Sequence, residues 1–433
     1  MKKLIAILLA AAMLLSLTAC SSSGTQTGTE TAARPAEESK GFAPALDTQA
    51  ELSLNVVGSY GNFEALEQVI QDFQVYYPNV TITYEQISDF DAGFPTRCAG
   101  GDNLDLFFIT AANYDRLYNG AITEYAVDLN TIGGMDLSAV DEAALAAGQQ
   151  NGTQLLLPVF YQTSGLIVNE TLLAKYGLSV PTTVDELASV CDALLEKGIT
   201  PLYGVPVMQA RLFLASAVSS IVNADNSAEL CAALEQGTLD TALLEFACDT
   251  WREWTEKGYF NPEAETLKDS YNAAILRFFE GDVPFLIGTS DTISGCKKRE
   301  AKSETFTASP FDYSYIVPAM GQNDSSVLLN ANSFFGAYKG SEHLDYAEEF
   351  IRFLATREEL VTMATVKGMP AVVANAGDSR FTRLEALPDE QKRCTSRLPF
   401  NTNVFSCLSG AMVDVASPDA AAISALFTEK MAN

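Results

Sequence analysis

The apolar positions change period along the chain, and each period predicts an element. Leu52, Leu54 and Val56 alternate with polar neighbours, the two-residue repeat of a half-buried strand. Gly58-Ser59-Tyr60-Gly61 reads as a turn. Asn62 then caps a helix whose inner face carries Phe63, Leu66, Val69, Ile70 and Phe73. Pro78 stops that region, residues 80–84 alternate again, and 104–109 are apolar in the manner of a strand buried on both faces. A second unit opens near Leu155, with an apolar run to Val159, then Phe160-Tyr161-Gln162, then 166–169. A short helix is expected over 171–176. Thr183 with Glu186 forms a capping box for a helix through Leu195. Further helices are expected over 239–257, 270–280 and 343–353, and a short strand over 283–287. Strands alternating with helices predict an α/β fold on a mainly parallel sheet. Neither a Gly-x-Gly-x-x-Gly turn after the first strand nor a Walker loop is present, so both common nucleotide fingerprints are missing.

The N-terminus follows another pattern. Lys2 and Lys3 precede an apolar run over 4–17, which ends in Leu17-Thr18-Ala19-Cys20. A charged start, a run too short to span comfortably and a small-residue end predict a secretory signal over 1–19. Cysteine directly after a small residue resembles a bacterial lipobox, which implies cleavage before Cys20 and lipidation of its thiol. Residues 20–50 are expected to form a flexible tether. Over 21–48 they are mostly Ser, Gly, Thr, Pro and Glu, with too little apolar surface to offset ordering entropy. The remaining chain, roughly 380 residues, exceeds what one core usually serves and predicts two lobes.

The formal charge of -28 argues against a nucleic-acid partner, which needs a basic footprint. His343 is the only histidine, so His-dependent triads and multi-histidine zinc sites are excluded. Asp89 with Asp91, or Asp102 with Asp105, could be read as paired carboxylates for glycoside chemistry. With 55 acidic residues such pairs arise by chance, and no enzyme activity, metal or cofactor is expected. Beyond Cys20, seven scattered cysteines remain: Cys98, Cys191, Cys231, Cys248, Cys296, Cys394 and Cys407. An odd number leaves at least one unpaired within the chain, and mostly buried thiols are expected, with at most one or two pairs.

Several stretches resemble the family-1 extracellular solute-binding proteins, the sugar-binding components of ABC importers. They are the strand-helix opening at 52–73, Asp105-Leu106-Phe107-Phe108, and Leu157-Pro158 through Gly165-Leu166-Ile167-Val168-Asn169. Gly177-Leu178 with Pro181-Thr182-Thr183-Val184-Asp185-Glu186-Leu187 is the most specific, although Val184 stands where Trp is commonest. Phe279-Glu280-Gly281-Asp282, Asn332-Ser333-Phe334-Phe335 and Gly368-Met369-Pro370-Ala371 complete the order. The resemblance implies a two-lobed periplasmic-binding-protein-like fold (type II), its discontinuous lobes joined by a three-segment hinge. Crossings are expected near 160–162, 288–290 and 331–335. Lobe 1 is then 51–159 plus 290–333, and lobe 2 is 160–289 plus 334–433. It also implies a monomer, lipid-anchored through Cys20 outside the membrane, that delivers a sugar or oligosaccharide to ABC permease subunits.

The candidate ligand-binding residues fall at the ends of the expected strands and at the crossings. Ser59 and Tyr60 end the first strand at a helix start that offers free backbone donors. Glu85 lies in the second strand and Asn113 beyond the third, with Asp115 a possible helix start. Tyr161 and Gln162 sit at the first crossing, Thr289 and Ser290 at the second, and Asn332 and Phe334 at the third. Trp251 and Trp254 share a helical face, with core packing and cleft contact both open. Many family members carry Gly-x-Trp where this chain reads Gly288-Thr289-Ser290, so a main stacking platform for sugar is missing there. Tyr60, Tyr161 or a tryptophan could replace it. A non-sugar polar solute such as an amino-acid derivative or peptide, a sensor-associated receptor and a carbohydrate-active hydrolase remain alternatives.

Overall fold

A computed structural model describes residues 42–61, 63–100, 103–110, 121–262, 271–321 and 326–432. In chain order its principal strands are β1 (Leu52–Gly58), β2 (Val80–Gln86), β3 (Leu106–Thr110), β4 (Leu157–Gln162) and β5 (Ser164–Asn169). They continue as β6 (Leu202–Tyr203), β7 (Phe285–Thr289), β8 (Tyr313–Ile316), β9 (Val327–Ala337) and β10 (Lys392–Cys394). Two mixed sheets result. The first has the order β10-β9-β3-β1-β2, with β4 also paired to β9, and the second has the order β8-β5-β7-β6.

Helices cover both faces of the second sheet at its central strands, which are apolar on both sides. In β5, Leu166 and Val168 enter one apolar cluster while Ile167 enters the other; in β7, Phe285 and Ile287 part from Leu286 in the same way. Successive side chains of a strand point to opposite faces, so an unbroken apolar run is what a doubly covered sheet requires. The helices that matter for the site are α1 (Glu64–Gln74), α2 (Val184–Leu195), α3 (Pro206–Val222), α4 (Glu245–Lys257) and α5 (Tyr271–Phe278). After them come α6 (Thr292–Glu300), α7 (Leu344–Leu354), α8 (Arg357–Lys367), α9 (Thr402–Asp414) and α10 (Ala420–Ala432). Helix α2 starts as expected, with the Thr183 hydroxyl accepting from the Glu186 N–H at 3.2 Å. The Glu186 carboxylate reaches one residue further back than a capping box does, to the Thr182 N–H at 2.7 Å.

The lobes divide the chain differently from the expected boundaries. Strand β8 pairs with β5 in the second sheet, although 290–333 was assigned to lobe 1. Residues Ser333 to Ala337 pair with β3 in the first sheet, and α7 and α8 pack on α1, although 334–433 was assigned to lobe 2. The first crossing lies where expected: β4 belongs to one sheet, β5 to the other, and Thr163 stands between them. Gly288 and Thr289 are no crossing, because they pair with Gly165 and Ser164 inside the second sheet. The chain passes back between β8 and β9 instead. A third passage runs between α8 and α9, which packs on α3, with β10 lying on the first sheet along the way.

The expected tether also ends sooner than residue 50. Phe42 is 9% exposed and meets Tyr76 and Phe353 edge-on, with the Arg352 guanidinium 4.3 Å over its ring. The Ala45 N–H donates to Glu349 at 2.9 Å. Residues 42–50 therefore belong to the first lobe, while Cys20 and the rest of the proposed signal and tether lie outside the described residues. All seven described cysteines are free and buried.

Candidate functional site

Strands β1, β2 and β3 run parallel, and the end of β3 at Thr110 pairs with Ser333 in β9; the carboxyl ends of such strands are the usual position of a ligand in open α/β sheets. Tyr60 follows β1, and its N–H donates to the Tyr84 hydroxyl at 3.0 Å while the Tyr84 hydroxyl donates to the Tyr60 carbonyl at 2.9 Å. This double bond fixes the turn. The Tyr60 hydroxyl reaches Ser333 Oγ in β9 at 3.2 Å. Burial raises its pKa, against the opposing effect of the Ser333 hydrogen bond. Its ring packs on Phe63 and Phe108 at centroid distances of 5.2 and 4.7 Å. Lys367, the last residue of α8, places its amine 4.3 Å from the Tyr60 ring centroid.

The second lobe contributes the end of β7. Ser290 is fully buried; its N–H donates to the Thr163 carbonyl at 2.9 Å and its Oγ accepts from the Thr163 N–H at 3.3 Å. Thr163 in turn donates its hydroxyl to the Leu328 carbonyl at 2.7 Å, just where β9 begins. Ser290 is thus a clasp at the crossing, and the position where relatives carry Trp faces protein here. Asp291, the next residue, is exposed and accepts from the Thr289 hydroxyl and from Gln162 Nε2 at 3.4 Å. Gly368 closes α8 with φ 72°, and a Cβ there would stand 3.2 Å from the Ser294 N of α6. Glycine is needed at that position both for the left-handed cap and for the close approach of the two lobes.

The sequence candidates separate into three groups. Tyr60, Gln162 and Thr289 stand on this inter-lobe floor; Asn332 precedes Ser333 in β9, and no described residue bonds its partly buried side chain. Ser59 lies beside them, with a buried Oγ that has no described partner. Others belong to the scaffold. Trp251 stacks on Phe213 at 5.3 Å inside the second lobe, with Trp254 beside it, so neither ring reaches the cleft. Phe334 is 1% exposed in the first core. Tyr161 is 5% exposed and lines another cavity of about 970 Å³, with Val140, Pro370, Val372 and Arg393, whose lining includes none of Tyr60, Gln162 and Asp291. Glu85 is occupied by Arg97, at 2.8 Å for the longer of two contacts. Asn113 and Asp115 lie outside the described residues.

Two floor residues were missed. Asp291 adjoins Thr289 and Ser290 but lies outside the residues the resemblance marks, and Lys367 falls in a stretch for which the sequence pattern predicts no element, where a lone lysine carries no signal. Of the near pairs of carboxylates in the sequence, Asp105 is 1% exposed and accepts from the Asn55 N–H at 2.7 Å, a strand-joining role, while Asp102 lies outside the described residues.

The arrangement of two mixed sheets joined by crossing strands is found in known proteins. Residues 58–360 match the family model described as bacterial extracellular solute-binding protein. The chain belongs to that family. It is therefore a binding protein rather than an enzyme, and its fold is the two-lobed α/β fold of such proteins. The chain is 23% identical over 330 residues to the multiple sugar-binding protein of Streptococcus mutans, covering 74% of this chain and 75% of that one. The apo form of RafE from Streptococcus pneumoniae superposes with a TM-score of 0.68 at 16% identity, over 88% of this chain and 97% of that one. A Bacillus licheniformis sugar transporter solved in complex with stachyose gives 0.62 at 20% identity, over 87% and 98%.

Proposed function

We propose that this solute-binding protein is the capture component of an ABC importer: it holds a sugar or oligosaccharide between its lobes and hands it to permease subunits. The family match carries the reading, since residues 58–360 take in strands of both sheets, among them β4, β5, β7 and β9. The sugar-binding relative and the stachyose complex support carbohydrate as the solute class. Ser59, Gln162, Thr289 and Asn332 supply hydroxyl and amide groups suited to sugar hydroxyls, and Cys20 anchors the mature chain to the outer face of the membrane through lipid. The test is a melting-temperature screen of the purified protein against stachyose, maltooligosaccharides, amino acids and small peptides. A ligand bound by the native state alone raises the midpoint, by about 2.7 kcal/mol of stability at one hundred times Kd. A rise with a saccharide is expected; a rise with amino acids or peptides alone would refute carbohydrate. Palmitate labelling of cells that express the protein and a Cys20→Ala variant tests the anchor, with label expected only on the former.

A further inference from the structure

The aromatic rings that could replace the missing tryptophan are all engaged: Trp251 and Trp254 are core, Tyr161 is buried beside another cavity, and Tyr60 carries a cation on its ring. What the floor offers instead is a pair of opposite charges on opposite lobes. Lys367 ends α8, which packs on α1 of the first lobe; Asp291 follows β7 of the second. The Lys367 ammonium is partly buried, and no described residue accepts a hydrogen bond from it or forms an ion pair with it. The two segments meet here: a Cβ on Gly368, the residue after Lys367, would stand 3.2 Å from the Ser294 N, and that N–H donates to the Asp291 carbonyl at 3.1 Å; burial lowers the Lys367 pKa and Asp291 opposes the change. A buried ammonium needs acceptors, and a carboxylate with capacity beyond its two side-chain donors takes another donor.

We infer that Lys367 and Asp291 form a cross-lobe clamp for adjacent hydroxyls of a neutral saccharide, one accepting from the ammonium and the other donating to the carboxylate. This rests on the carbohydrate reading above and specifies how that site recognises it. A hydroxyl is donor and acceptor at once, so adjacent hydroxyls satisfy both groups with no net charge. Because the two partners belong to different lobes, the bridge forms only when the lobes are together, and the solute stabilises that arrangement by its differential contacts. Charge-assisted bonds of this kind are among the stronger ones.

Calorimetric titration of the intact protein with stachyose and maltotetraose, for wild type, Lys367→Met, Lys367→Arg and Asp291→Asn, tests the clamp. The expected result is a loss in affinity on the order of tenfold or more for Lys367→Met and for Asp291→Asn, with a smaller loss for Lys367→Arg, which keeps a donor. Unliganded melting temperatures report whether each variant folds, and Lys367→Arg and Asp291→Asn preserve size if Lys367→Met does not. Affinities within twofold of wild type would overturn the clamp and leave the carbohydrate reading standing. No binding of either sugar by wild type would overturn both. Tighter binding of an oligogalacturonate than of either neutral sugar would overturn the neutral class.

Discussion

At the scale of single residues, Ser290 shows why a missing motif residue need not leave a gap. Its side chain is enclosed and bonded to Thr163, so the tryptophan of relatives has no space at this backbone position. Ser290→Trp is therefore expected to lower stability and weaken ligand binding instead of restoring a stacking platform. Ser290→Ala should cost only about 1 kcal/mol, the usual worth of one hydrogen bond. Urea titration of both variants checks the order. Glu359 makes a second case. Its carboxyl is 4% exposed, one oxygen has no described partner, and burial, reinforced by Asp72 and Glu358, raises its pKa to about 8. Below its ordinary value near 4.5 both folded and unfolded states carry the proton, and no penalty arises. Between there and about 8 the unfolded chain has lost a proton that the folded chain retains, so stability falls as pH rises. Glu359→Gln should remove that slope and raise the melting temperature at pH 7.5, by about 2 °C or more, while changing little at pH 4.

At the scale of elements, legibility followed the period of burial. Strands β1, β2, β3 and β7 were readable because their faces alternate or are apolar throughout, and α2 because its cap is written in Thr183. Helix α3 was not. Its 17 residues are buried on several sides, with Ser216 and Ser219 enclosed beside Phe213 and Ala217, so the apolar stripe that marks a surface helix is absent. Composition reads segment 42–50 as tether, but it says nothing about a single anchoring ring. Phe42 and the Glu349 cluster decide it: Glu349 takes Arg352 at 2.8 Å through Nε and Nη2, the Tyr77 hydroxyl and the Ala45 N–H. Burial alone would raise the Glu349 pKa, yet Arg352 and Tyr77 bring it below its ordinary value. Removing one member of a buried pair typically costs about 3–5 kcal/mol. Glu349→Ala should lose on that order in chemical denaturation, and limited proteolysis should cut the variant near residue 45 at a protease dose that spares the wild type there.

At the scale of the whole molecule, what remained illegible is how the lobes share the chain. The resemblance implies crossings near 160–162, 288–290 and 331–335, yet strand membership depends on pairings such as β8 with β5, which no local pattern encodes. The same three-dimensional fact brings Asp291 and Lys367 together from positions far apart in sequence, and it sets two kinds of contact between the lobes. One is exposed: Glu64 at the start of α1 lies 3.5 Å from Lys298 on α6, each side chain 54% exposed. Such pairs are worth about 0–1 kcal/mol and are screened by salt. The other is the floor, where the solute meets the partly buried Lys367 ammonium and the exposed Asp291 carboxylate. The two should therefore separate by ionic strength. Lys298→Gln is expected to weaken stachyose binding by no more than about fivefold at low salt, a difference that vanishes near 0.5 M salt because the pair is screened there. Lys367→Met should retain most of its larger loss at both salt concentrations, since charges shielded from solvent are screened less. Small-angle scattering should show a decrease in radius of gyration on adding stachyose to wild type and to Lys298→Gln. A Lys298→Gln defect that persists in high salt would mean that the exposed pair, not the floor, holds the lobes together.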